Sequence, residues 1–138
     1  MTALELLKAE IADSGKQLEA VLSSFPAAQI DSKPASTAMS AREIVVHLCE
    51  AYDAAAAASE GREYDWGSYV PPSTEWHQLL ANFRELRAKA AEALSAEDDT
   101  KLMAGTMYIV AHDYYHVGQL CSARIACDPE WDPFSIYA

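Results

Sequence analysis

The segment Ala111-His112-Asp113-Tyr114-Tyr115-His116-Val117-Gly118-Gln119-Leu120 decides how the rest of this chain is read. It reads as helix, and two histidines sit four residues apart within it. On an α-helix, positions i and i+4 share a face and are separated by ~6 Å of rise. Two imidazoles so placed can converge on one metal ion. A third histidine, His47, lies in another helical run, Ser40 to Leu48. Three rings from two distant helices can meet only where helices pack face to face.

Working outward, the helix that holds the pair spans from about Thr100 to about Ala126. Asp128-Pro129 and Asp132-Pro133 forbid its continuation. The tail Trp131 to Tyr137 is too aromatic to be free, and should pack back on the bundle or on a partner subunit. Leu4, Leu7, Ile11, Leu18, Leu22 and Phe25 form the apolar stripe of a first helix, with Pro26 at its end. Ser40 and Glu43 make a capping box that opens the second helix. Ile44, His47, Leu48, Ala51 and Ala55 give its inward face, and Gly61 is a natural stop. The connection Arg62 to Pro72 is long and aromatic, which suits a crossover along the bundle. Ser73 or Thr74 can cap a third helix with Trp76, Leu79, Leu80, Phe83, Leu86, Ala90 and Leu94 inside. Arg84, Glu85, Arg87 and Lys89 fall on its wet face. The short acidic turn Ser95 to Thr100 makes helices three and four antiparallel neighbours. Four amphipathic helices predict an all-α four-helix bundle, one domain over residues 1–138.

Ten basic against 21 acidic residues give a net charge of −11, which argues against nucleic acid or an anionic membrane surface as partner. No apolar run approaches the ~20 residues that span a bilayer. The three cysteines, Cys49, Cys121 and Cys127, are odd in number and form no C-x-x-C. Reduced thiols and no recognisable signal peptide predict a cytoplasmic protein. Cys121 and Cys127 read as small buried hydrophobes.

An isolated inward histidine such as His47 is ordinarily an uncharged, hydrogen-bonded core residue. His112 and His116 sit among Ile109, Tyr115, Val117 and Leu120, with Gly105 and Ala123 near their stripe leaving space for inward imidazoles. Charging two buried histidines one turn apart is costly, and a divalent cation accepting their lone pairs resolves the conflict. Three protein ligands leave coordination positions open, the pattern of a reactive site and not of a structural one. Gln119, Asp113 or Glu43 could take the second ring nitrogens, although Glu43 and Asp113 are more simply solvated or capping residues. Tyr108 could line the same pocket. His77, at the edge of the third helix's apolar face, is a minor candidate ligand.

In three places the chain resembles the DinB superfamily, the DinB/YfiT-like metalloenzymes. These are the serine-capped helix with His47-Leu48, the run His112-x-x-x-His116 followed by Gly118, Gln119 and Leu120, and the Trp131-Asp132-Pro133 tail. The resemblance implies an up-down-down-up bundle, often a homodimer. It also implies a divalent metal, commonly zinc or nickel, on His47, His112 and His116. Some relatives use such a metal to activate mycothiol, bacillithiol or glutathione for transfer or isomerisation. The expectation is therefore a metal-dependent enzyme acting on a small molecule, a low-molecular-weight thiol transferase or isomerase. Substrate contacts are expected from the helix 2–3 connection and the C-terminal tail. The alternatives are a non-catalytic metal- or small-ligand-binding module, and a structural protein whose histidines are core residues.

Overall fold

Local capping chemistry sets where each helix begins. The computed structural model describes residues Met1–Ala138 and contains helices and no strands. Helix α1 (Ala3–Leu22) opens on a Thr2–Glu5 capping box, and α2 (Ala41–Ser59) on the Ser40–Glu43 box read from the sequence. Helix α3 (Trp76–Leu94) departs from expectation. Its cap is Glu75, whose carboxylate accepts from the Gln78 N–H at 2.8 Å. Ser73 instead accepts from the Glu75 N–H at 3.1 Å. A carboxylate satisfies an orphan donor and also meets the positive end of the helix dipole.

The fourth rod is three segments in one continuous run. Helix α4 (Asp99–Gly105) is capped by Asp98, a π-helical stretch follows over Thr106–Ala111, and α5 (His112–Cys127) completes it. The tail forms a 3-10 turn, Pro133–Tyr137, and packs back on the bundle through buried Ile136. Arg124 stacks on the Trp131 ring at 4.7 Å and donates to the carbonyls of Val21 and Ser23, closing the C-terminal end of α1.

Cross-helix contacts fix the topology. Arg42 at the start of α2 donates to the Thr74 carbonyl just before α3, and Tyr52 meets Phe83 at 5.8 Å further along, so α2 and α3 run parallel. Glu19 of α1 pairs with Arg84 while Ile11 accepts from Arg87, so α1 is antiparallel to α3. Leu7 packs at Gly105, Ser14 reaches Asp113 and Val21 reaches Arg124, so α1 runs with the fourth rod. The order is up-down-down-up. Parallel α2 and α3 require the crossover that the long connection supplies. Glu50 organises that connection by accepting from the Gly67 and Tyr69 N–H groups at 3.0 and 2.8 Å. Gly61 and Gly67 take positive φ there, of 69° and 92°. No helix is long and apolar enough to cross a membrane.

A candidate metal centre

The α2 register that buries Ile44, Leu48 and Ala51 turns His47 toward α5. The α5 register that buries Val117 and Leu120 turns His116 inward, and His112 lies one turn earlier on the same face. The three rings meet. Their centroids are 4.9 Å (His47–His116), 4.9 Å (His112–His116) and 5.2 Å (His47–His112) apart. Their ligating nitrogens all lie within 4.8 Å of one another, and the Nε2 atoms of His47 and His112 are 3.1 Å apart.

The environment keeps the rings of His112 and His116 unprotonated at neutral pH. Burial pushes the His116 pKa down to about 4, against the raising effect of its hydrogen bond to Gln119. Burial also lowers that of His112, and His47 adds to this while Asp113 partly opposes it. His116 Nδ1 lies 2.8 Å from Gln119 Oε1. An amide oxygen only accepts, so Nδ1 carries the proton and Nε2 keeps its lone pair. This is the second-nitrogen partner that a ligating histidine needs, and of the three candidates Gln119 supplies it.

Nitrogens held about 2.0–2.1 Å from one ion at tetrahedral or octahedral angles stand about 2.8–3.4 Å apart. The separation of His47 from His112 fits that value. The donor set also fits, since it offers three imidazoles with one face open. That face is the floor of a cleft of about 490 Å³, whose other walls are Met39, Met107, Ala111, Tyr115 and Gln119. An adjoining groove beyond His47 reaches Tyr69 and Gly67, so the α2–α3 connection lies next to the site.

Other expectations need correction. Asp113 is neither solvated nor a histidine partner. It is fully buried and accepts from Tyr52 of α2, Ser14 of α1 (2.8 Å) and Arg87 of α3 (2.8 Å). Arg87 therefore leaves the wet face of α3 for this knot. Val110, Val117 and Leu120, one or two turns away and all buried, put Asp113 on an inward face, a signal already present in the sequence. Glu43 stays on the surface with Lys33 at 3.3 Å. Tyr108 packs on the core and Met107 takes its place in the cleft, because the π turn shifts the phase by one residue. Gly105 makes room for Leu7, not for an imidazole. His77 is exposed and outside the cluster. Cys49 faces Asn82 and its thiol is pushed up to about 11 by burial, whereas Cys121 and Cys127 are only half-buried. The tail borders α1 and α5 near Tyr114 and Cys121, away from the histidines.

An up-down-down-up bundle with three inward histidines on its second and fourth rods defines a helical protein whose candidate metal centre opens on a cleft. The DinB superfamily model matches residues 10–120, and the chain belongs to that superfamily. Among curated proteins and solved structures, nothing matches the chain.

Proposed function

We propose that this protein binds a divalent cation, zinc or nickel, through His47, His112 and His116, and uses it in thiol-dependent transfer or isomerisation on a small electrophile. The observation that carries the reading is the convergence of three imidazoles at the floor of an open cleft. Three neutral donors leave the ion's charge uncompensated, and when bound it supplies Lewis acidity that lowers the pKa of a thiol or water at its open face.

The chain's own residues do the rest. Burial keeps His112 and His116 unprotonated at neutral pH, so no proton competes for their lone pairs. Gln119 fixes the ring orientation and tautomer of His116. Met39, Met107 and Ala111 give apolar walls that thin the water around a bound substrate. Homodimeric assembly is part of the proposal, supported by exposed Leu6 and Met103 beside the α1–α4 groove.

A non-catalytic metal- or ligand-binding module is the second reading. It is favoured by one observation: no carboxylate lines the cleft to act as a general base.

Elemental analysis of protein purified without an affinity tag comes first, with about one equivalent of metal expected. His112→Ala should lose that metal while helix content is retained. A chain that holds no metal, or a variant that keeps it, defeats the metal assignment. Metal-replete protein should then turn over a reactive electrophile with mycothiol, bacillithiol or glutathione. Tight metal binding with no rate above the metal-free control would leave the binding-module reading in place of the enzyme.

A further inference from the structure

The geometry points to Tyr115 as the hydrogen-bond donor that holds an anionic or carbonyl ligand against the open face of the histidine cluster. This rests on reading the three histidines as metal ligands, and it follows from the direction of one hydrogen-bond chain. His116 Nδ1 lies 2.8 Å from Gln119 Oε1, and Gln119 Nε2 lies 3.2 Å from Tyr115 Oη. For His116 to present Nε2 to a cation, Nδ1 must carry the proton. Gln119 must then accept through its oxygen, which aims its NH₂ at Tyr115. The phenol oxygen consequently accepts in this chain, and its own hydrogen remains to be donated elsewhere. The ring stands edge-on against His116, with centroids 5.0 Å apart, and lines the cleft. No other protein acceptor engages Tyr115.

The tyrosine thus offers a neutral donor on the wall of the cleft that the three histidines also line. An acceptor there, whether anion, carboxylate or carbonyl oxygen, completes a chain that begins at His116. The cleft lining contains no other hydroxyl and no cationic side chain that could serve instead. Ligand capture and metal capture are therefore linked through Gln119, one amide serving both.

The test uses the full chain loaded with Co(II), and azide titrated against the visible absorption of the metal. Tyr115→Phe keeps the ring on His116 and removes only the donor. Its metal affinity should stay within about twofold of the parent, while its azide affinity falls about three- to tenfold. Gln119→Glu adds the decisive comparison. A carboxylate accepts from both neighbours, so the tyrosine hydrogen turns away from the cleft and metal binding is kept. In the Gln119→Glu background, Tyr115→Phe should have no further effect on azide, a non-additivity that a packing role does not produce. Equal azide affinity in parent and Tyr115→Phe, or the same loss in both backgrounds, overturns the proposal. Failure of the parent to bind Co(II) overturns the metal reading, and this proposal with it.

Discussion

Residue identity matters most where burial and charge meet. His116 is almost wholly buried, and its folded pKa of about 4 lies well below the ordinary 6.5. Between those values the unfolded chain binds a proton that the folded chain does not. Stability therefore rises with pH across that window and is lost as pH falls from about 6.5 towards 4. His112 acts in the same direction. Above 6.5 both states are unprotonated at these sites, so the effect vanishes. The metal-free protein should show a melting temperature that falls steeply through this range, measured by circular dichroism in the presence of a chelator. The slope should flatten in His116→Gln, and an equal slope in both chains would remove the histidine from the account. The same residue scale explains what was legible beforehand. His47, His112 and His116 carry their inward facing in spacing, because each lies on a face defined by its own helix, whereas spacing offered Gln119 only beside Asp113 and Glu43. Tyr115 and Met39 carry no such signal, since what they line is set by a partner helix or by a loop path that no local pattern encodes.

Helices two and four show how an element converts sequence into geometry, and where the conversion slips. The Ser40–Glu43 box was readable because both partners lie within one turn. The Glu75 cap was not, because glutamate is a weaker cap signal than the serine and threonine just before it. The π stretch over Thr106–Ala111 has no sequence mark at all. Its wider i→i+5 turn absorbs one extra residue, and so moves Met107 to the cleft wall where a regular helix would have put Tyr108. Because the bulge absorbs that residue, α4 and α5 keep the facings that each needs: Gly105 against Leu7, and the two histidines against His47. Deleting Met107 should therefore relax the bulge to a regular helix with both facings preserved. The expected outcome is native-like helix content and retained metal stoichiometry, in a cleft whose wall carries Tyr108 in place of Met107. Loss of metal from a folded deletion variant would mean that the bulge sets the histidine register and does not merely accommodate a residue.

Across the whole molecule, one buried polar knot joins all four rods. Ser14 of α1, Tyr52 of α2 and Arg87 of α3 all meet the Asp113 carboxylate of α5, one residue from His112. Arg87 also donates to the Ile11 carbonyl at 2.6 Å and to Ser14 at 3.0 Å, and no deeply buried side-chain polar atom lacks a partner. Sidedness in the apolar stripes defines a bundle but leaves the helices free to slide. A charged group with fixed partners on three other rods removes that freedom, and so sets how far α2 stands from α5 and hence His47 from His112. Satisfied, such a network is tolerable in the core; broken, it strands Arg87 and Tyr52 in an apolar interior. Asp113→Ala should cost about 3 kcal/mol by urea denaturation, the low end for a broken buried pair because Arg87 keeps some exposure. The loss should be nearly the same at low and high salt, since a buried pair is poorly screened. Arg84→Ala is the contrast. It removes an exposed pair with Glu19 and should cost under about 1 kcal/mol, shrinking further as salt is added. A folded Asp113→Asn chain should also bind metal more weakly, because the spacing between the histidine-bearing helices is no longer pinned. Unchanged stability in Asp113→Ala, or a loss that salt abolishes, would show that packing alone holds the helices in register.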